Sequence, residues 1–107
     1  LEEACEEIEA SMKRVAAELR RPCRHFAYPY GCEQTAGERE FAMAAALGVE
    51  TAVTTRKGLI HASHREQMTA LPRLSLNGDY QEQRYVDVML SGAPFALYNA
   101  VHRVAGA

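Results

Sequence analysis

The residue types best suited to chemistry lie together in residues 24–31, which read Arg-His-Phe-Ala-Tyr-Pro-Tyr-Gly. Residues 23–27 are compatible with a short buried strand. Pro29 and Gly31 then end it in a sharp turn, because proline lacks a ladder donor and glycine adopts backbone angles that other residues avoid. A strand that ends in a turn and leads to a helix presents aromatic side chains and free backbone amides where α/β proteins bind ligands. The segment therefore predicts a ligand site around residues 28–31, without specifying its chemistry.

Residue types that ligate metals occur in two further places. Cys23, His25 and Cys32 would approach one metal only if a regular strand placed Cys23 and His25 on one face, and structural roles are the favoured alternative. His61 and His64 are three residues apart, which suits one helical face. No carboxylate or thiol stands at a supporting spacing, so the sequence favours a solvated loop there. We expect no metal or other cofactor to be held by this chain alone.

The composition describes one small globular domain. The chain has 107 residues, 48% hydrophobic and 24% charged, with a formal net charge of −2. This charge balance gives no reason to expect nucleic acid or an anionic membrane as a partner. No apolar run reaches the roughly 18 residues that indicate a membrane span. The three cysteines form no paired framework, and reduced thiols favour a cytoplasmic location.

The hydrophobic pattern predicts alternating helices and strands. Apolar residues three and four apart predict a helix over residues 1–20, whose stripe favours core packing over partner binding. A second helix is expected over residues 38–47, with Gly48 as a left-handed cap, and a β-branched strand over residues 49–55. The order of helix, strand, helix and strand is typical of an α/β domain with a parallel sheet.

The second half of the chain is predicted to contain a loop, a strand and two helices. Residues 56–70 are the least regular part, and their length suggests a functional loop. Residues 71–76 alternate as a strand does, with Pro72 indicating an edge position and Asn77-Gly78 a turn. Helical spacing resumes at residue 81, and Pro94 suits the first turn of a further helix through Val104.

Several of these stretches resemble the carboxyl-terminal half of bacterial polysaccharide deacetylases. The resemblance spans nearly the whole chain, and its most specific parts are the Phe-Ala-Tyr-Pro-Tyr-Gly and Leu-Pro-Arg stretches. The similar stretches are residues 25–31, 37–41, 52–56, 71–78 and 85–104.

This resemblance implies a distorted, incomplete β/α barrel and the metal-dependent removal of acetyl groups from sugar polymers, often with zinc. Within the family's Arg-x-Pro-Tyr motif, Pro29 and Tyr30 match, and Ala27 stands in place of the arginine. The resemblance makes the Tyr30 backbone amide a donor to the oxyanion that forms when water attacks the acetyl carbonyl. Four residues are candidates for binding acetylated polysaccharide or oligosaccharide: Tyr28, Pro29, Gly31 and Arg73. For Arg73, pairing with a nearby carboxylate is the favoured alternative.

The chain also departs from the family pattern. The Asp-Asp pair and the His-Ser/Thr-x-x-His motif, which supply the base and metal ligands, precede the similar region and do not occur here. Leu74-Ser75-Leu76 replaces the expected leucine-x-histidine, and whether Arg56 or Arg73 compensates is open. The start at Leu1, inside a helical pattern and without methionine, favours a piece of a longer protein that carries the metal.

Two hypotheses follow. The chain is the later half of a metal-dependent deacetylase, inactive when isolated, or it is a non-catalytic α/β module that binds carbohydrate through Tyr28 and Tyr30 or serves as a scaffold. Half of a barrel would expose a sheet edge, so we also expect homo-oligomers.

Overall fold

The computed structural model describes residues 2–76, 78–79 and 81–106, with side chains as far as Val101. Helices and parallel strands alternate along the described chain, which confirms the α/β prediction. Asn77 of the predicted turn lies outside the described residues. The elements are α1 (Glu2–Leu19), β1 (His25–Ala27), α2 (Glu38–Ala46), β2 (Thr51–Lys57), a 3-10 helix (Ala62–Glu66), β3 (Leu71–Arg73), α3 (Gln83–Leu90) and α4 (Ala93–Gly106).

The described strands form a parallel sheet in the order β1-β2-β3. Phe26 is in register with Ala52, and the ladder continues one residue past β1, where the Tyr28 N–H donates to the Val53 carbonyl at 3.2 Å. β3 is an edge strand of the described sheet, as Pro72 predicted. Because all three strands run in one direction, their carboxyl ends lie at the same end of the sheet.

Several strand boundaries differ from the predictions: β1 begins at His25 and not at residue 23 and is only partly buried, and β2 spans residues 51–57 and not 49–55. β2 begins two residues later than expected, because the Val49 N–H donates to Ala44 O at 3.1 Å and so closes α2 instead of entering the sheet. Gly48 has φ +85°, which confirms the predicted left-handed cap. β3 ends at Arg73 and not at residue 76, so the alternation beyond it does not form a strand.

The core lies between α1, α2 and the sheet. Ala44 of α2 and Ala52 of β2 are fully buried, and the Tyr28 ring makes edge contacts with Phe26 and Phe41 at centroid distances of 5.3 and 5.4 Å. The α1 stripe is only partly covered, since Ile8 is buried but Leu19 is 56% exposed. The buried members of this core are Tyr28, Ala36, Ala44, Val49 and Ala52, with Met12, Phe26 and Phe41 packed against them.

The last two helices pack on each other and leave apolar side chains in solvent. None of the helices in the described part of the chain combines the length and hydropathy that crossing a membrane requires. More than half of the side-chain surface is exposed at five apolar positions of α3 and α4: Val88, Leu90, Leu97, Tyr98 and Val101.

Candidate functional site

The turn after β1 has an unusual backbone. Tyr30 and Gly31 both lie in the left-handed region, with φ of +62° and +60°. The Gly31 N–H donates to the Pro29 carbonyl at 2.7 Å, which closes a tight three-residue turn around Tyr30. A tyrosine in this region costs on the order of 1–2 kcal/mol, and such strain is concentrated at functional sites.

Strand β2 holds the turn in place. The Thr55 N–H donates to Gly31 O at 3.0 Å, and the Thr55 hydroxyl donates to Tyr30 O at 2.7 Å. A Cβ on Gly31 would lie 2.8 Å from the Thr55 nitrogen, closer than real side chains approach. Glycine is therefore required at position 31 for both its backbone angle and its lack of a side chain.

The Tyr30 amide is the free donor of this turn. Its carbonyl accepts the Thr55 hydroxyl, but its N–H donates to no acceptor in the described part of the chain. The Tyr30 side chain is 84% exposed. The turn thus presents an N–H held in a fixed backbone and an exposed aromatic ring.

The turn borders a cleft of about 460 Å³ between α1, the end of β1 and the start of α2. Tyr28, Pro29 and Tyr30 line it, so three of the residues predicted to form the site lie together. Gly31 does not line the cleft, because it is buried against β2. The other lining residues are Ala4, Glu7, Ile8, Ser11, Phe26, Ala27, Thr35, Arg39 and Glu40.

A charged pair on the first turn of α2 contributes to the same cleft. Glu40 accepts the Gly37 N–H at 2.9 Å through one oxygen and the Arg39 guanidinium at 2.8 and 2.5 Å through the other. The Gly37 hydrogen bond, followed by Arg39, lowers the pKa of Glu40 below its usual value. Glu40 is therefore a fixed anion that orients Arg39, whose guanidinium remains largely exposed.

Sequence reasoning named Arg39 and Glu40 only as part of a resemblance and did not assign them to the site. Their signal was a charged pair in the first helical turn after the predicted site. Glu7 and Ser11 lie on α1, far away in sequence, and no local pattern indicated that they face the turn.

Tyr28 is mainly a core residue. Its ring lines the cleft, but the residue is only 5% exposed and its hydroxyl donates to Thr69 O at 2.6 Å. Burial raises the pKa of Tyr28 to about 12, with Glu40 adding to the rise and the Thr69 hydrogen bond opposing it. Its hydroxyl therefore stays protonated at neutral pH and is engaged with the backbone.

The two arginines considered as replacements for the motif arginine lie outside this cleft. Arg73, at the end of β3, donates from Nε to Thr54 O at 3.1 Å. Arg56 donates from Nη2 to Ala36 O at 2.9 Å and lies 5.1 Å from the Phe41 ring centroid. Arg73 thus joins β3 to β2, and Arg56 joins β2 to the segment before α2. Arg39 is the arginine that lines the cleft.

The cysteines and histidines do not converge on a metal. The Cys23 thiol donates to the His25 carbonyl at 3.6 Å, and the His25 ring bonds the Thr51 hydroxyl at 2.7 Å. Within residues 2–76, 78–79 and 81–101, whose side chains are described, no three side chains of His, Cys, Asp or Glu form a group able to hold a metal ion. These residues alone therefore do not fit a catalytic metal.

The segment around His61 and His64 is not the irregular loop that was predicted, because it contains the 3-10 helix. The two rings stack at a centroid distance of 6.0 Å, and the His61 N–H donates to His64 Nδ1 at 2.8 Å. Three-residue spacing brings the side chain of His61, the residue just before the 3-10 helix, beside that of His64 within it.

No family model, no curated protein and no solved structure matches this chain. The turn, the cleft and the charged pair are thus the observations on which a function is proposed.

Proposed function

We propose that the chain forms the carboxyl-terminal part of a metal-dependent hydrolase that removes acetyl groups from polysaccharide. The observation that carries this proposal is the strained turn at Tyr30, a residue that lines the cleft and whose N–H has no acceptor among the described residues. The resemblance to polysaccharide deacetylases supports the proposal at the same residue.

The chemistry of acetyl removal suits a fixed N–H donor. Attack of water on an acetyl carbonyl moves negative charge onto the carbonyl oxygen, and a preorganised donor aimed at that oxygen lowers the barrier by about 3 kcal/mol. The Thr55 hydrogen bonds and the packed Gly31 keep the turn from relaxing. In the proposed reaction, the Tyr30 N–H donates a hydrogen bond to the oxyanion, and the turn does not need to rearrange.

The cleft walls suit a sugar. The exposed Tyr30 ring offers an apolar face on which a pyranose ring can stack, and Pro29 extends that surface. Arg39 and Thr35 provide hydrogen-bonding groups for hydroxyl or acetyl oxygens. A volume of about 460 Å³ admits about one or two sugar residues.

The base and the metal ligands are assigned to a longer parent protein. Glu40 is held by Gly37 and Arg39 as an ionised side chain, so we assign it a positioning role and not that of the base. In the same proposal, β1, β2 and β3 are neighbouring strands of the distorted β/α barrel that the resemblance implies.

Replacing the Tyr30 amide by an ester tests the donor role. This backbone change removes the N–H and retains the side chain, and binding is measured by calorimetry with a chito-oligosaccharide that carries a phosphonate in place of one acetyl group. We expect the ester to weaken binding by about tenfold or more, because a charge-assisted hydrogen bond is lost.

Tyr30→Phe is the matched control, since it keeps the amide and the stacking ring. We expect it to bind the phosphonate nearly as well as the unmodified chain. Equal affinities of the ester and the unmodified chain would overturn the oxyanion role.

A non-catalytic carbohydrate-binding module is the second candidate function. The exposure of the Tyr30 ring at the cleft favours it, because sugar stacking requires no metal or base. Native mass spectrometry of the protein from its source cells separates the two candidates. A longer polypeptide with bound zinc supports the hydrolase, and a metal-free protein of this length supports the binding module.

A further inference from the structure

A second cleft lies away from Tyr30. Its volume is about 520 Å³, and it is formed by the end of β2, the segment after it, and the start of α4. None of its residues lines the Tyr30 cleft. The lining residues are Lys57, Gly58, Leu59, His61, His64, Pro72, Ser91, Gly92, Ala93, Phe95, Ala96 and Asn99.

The ionisable lining residues are all basic. Lys57, His61 and His64 contribute to the walls, and no aspartate or glutamate does. The chain as a whole carries 14 acidic residues beside 12 Lys and Arg and 4 His. A cleft that is lined by a lysine and two histidines, and by no carboxylate, favours an anionic ligand.

The two histidines are positioned by their own segment. Because His64 Nδ1 accepts the His61 N–H at 2.8 Å, the proton of a neutral His64 ring resides on Nε2, which is then a donor. The ring stack fixes His61 parallel to His64, with an interplanar angle of 21°. The Lys57 ammonium adds three further donors on the adjacent strand end.

The rest of the lining is apolar and close-packed. Leu59, Pro72 and Phe95 supply carbon surface, and Gly92 packs against Leu59 so tightly that an added Cβ would lie 3.1 Å from Leu59 Cδ1. This contact holds the start of α4 against the segment that carries the histidines. Basic side chains beside an apolar surface suit a ligand that has an anionic group attached to a ring.

We propose that this second cleft binds a small cyclic anion through Lys57, His61 and His64, with the carboxylate of a uronic acid or the phosphate of a sugar phosphate as the recognised group. The basic side chains hold the anionic oxygens, and the ring lies on Phe95 and Leu59. The inference does not depend on the role proposed for Tyr30, because the two clefts share no residue.

Histidine-detected NMR titration of the full chain tests the proposal with four probes: glucuronate, glucose 6-phosphate, inorganic phosphate and neutral glucose. We expect glucuronate, glucose 6-phosphate or both to shift the His61 and His64 ring signals saturably, and which of them does so identifies the anionic group. Glucose should leave the signals unchanged. Equal binding of glucose, or no saturable shift with either cyclic anion, would overturn the proposal. Binding of inorganic phosphate alone would also overturn it, because the ring would then contribute nothing.

Matched variants separate this cleft from general surface charge. Lys57→Gln and His64→Gln should each weaken binding of the cyclic anion by about fivefold, as expected for a partly exposed charged contact. Lys13→Gln removes the other lysine of the chain, which pairs with Glu9 on α1, and should have no effect. Equal losses in Lys13→Gln and Lys57→Gln would contradict the assigned site.

Discussion

Thr55, which lies on β2, holds the strained residue Tyr30 in place, because the Thr55 hydroxyl donates to the Tyr30 carbonyl at 2.7 Å. Its backbone N–H donates to the next carbonyl, that of Gly31, at 3.0 Å. The left-handed turn is therefore anchored to β2 at two successive residues. The Tyr30 N–H, which has no acceptor among the described residues, is consequently held in a rigid turn at the carboxyl ends of the strands. A preorganised donor requires such an arrangement.

Gly31→Ala should destabilise the fold. The new methyl group would meet the Thr55 nitrogen at 2.8 Å and would also occupy a left-handed backbone position. We expect the free energy of unfolding to fall by about 2–4 kcal/mol, measured by urea denaturation.

Gly48→Ala is the control for that change. Gly48 also has a positive φ, but nothing lies within 4 Å of the added Cβ. Its loss should be limited to about 1 kcal/mol, the cost of the backbone conformation alone. Similar losses in the two variants would show that the close approach of Gly31 to β2 is not important.

Thr55→Val should loosen the Tyr30 turn while retaining the strand. The variant keeps the β-branched shape and loses only the hydroxyl that bonds the Tyr30 carbonyl. We expect a decrease of about 1 kcal/mol in the free energy of unfolding, and faster hydrogen exchange at Gly31. Thr51→Val, which removes an exposed hydroxyl bonded to His25, should leave exchange at Gly31 unchanged. If Thr55→Val also leaves it unchanged, the side chain does not anchor the turn.

The sequence was sufficient for the elements whose signals are local. Pro29 and Gly31 ended β1 at Ala27 as predicted, and Gly48 capped α2. The predicted start of β2 was wrong because Val49 has the same β-propensity as the strand residues. Only its hydrogen bond to α2 distinguishes Val49 from them. Local propensity does not distinguish a buried helix cap from a strand residue.

The candidate site was predictable in part. The turn at Tyr30 followed from residue types, but the cleft requires α1 to pack beside α2, a tertiary contact that no local pattern encodes. Glu7 was missed for this reason, whereas Arg39 had a local signal, the charged pair in the first turn of α2, that was not assigned to the site. Tyr28 was predicted as a binding residue from its neighbours, although its burial and its bond to Thr69 make it chiefly structural.

Tyr28 should make the fold sensitive to alkaline pH. Its pKa is raised from 10.0 to about 12, so the unfolded state loses its proton first and the fold becomes less stable as the pH rises from 10 to 12. The stabilisation is fully present below pH 10, and its loss amounts to about 2 kcal/mol. Urea denaturation at several pH values measures it.

Tyr28→Phe should lower the free energy of unfolding by about 1 kcal/mol at neutral pH and reduce the alkaline loss, because no buried phenol remains to ionise. Tyr30→Phe removes an exposed phenol and should retain the alkaline loss of the unmodified chain. The same pH dependence in both variants would exclude Tyr28 as its source.

The isolated chain should self-associate through a sheet edge. β1 and β3 are the outer strands of the described sheet, and such edges pair readily with other strands. We expect light scattering to give a mass above that of one chain, rising with concentration. The double change Leu97→Glu and Val101→Glu on α4 should not alter it. A monomeric mass at high concentration would contradict self-association, and a mass that falls in the double variant would place the contact on α4 instead.

The most direct test of the central claim follows the backbone amide of Tyr30 by two-dimensional NMR while an oligosaccharide is added. N,N′-diacetylchitobiose and its deacetylated counterpart, which carries amines in place of the acetamido groups, are compared at a pH above the pKa of those amines, so that both sugars are uncharged and differ in the acetyl groups that the site is proposed to recognise. We expect saturable shifts at Tyr30, Gly31 and Arg39 with the acetylated sugar and none of comparable size with the deacetylated one. Unchanged Tyr30 and Arg39 signals, or equal shifts with both sugars, would contradict the claim that this turn binds acetylated carbohydrate.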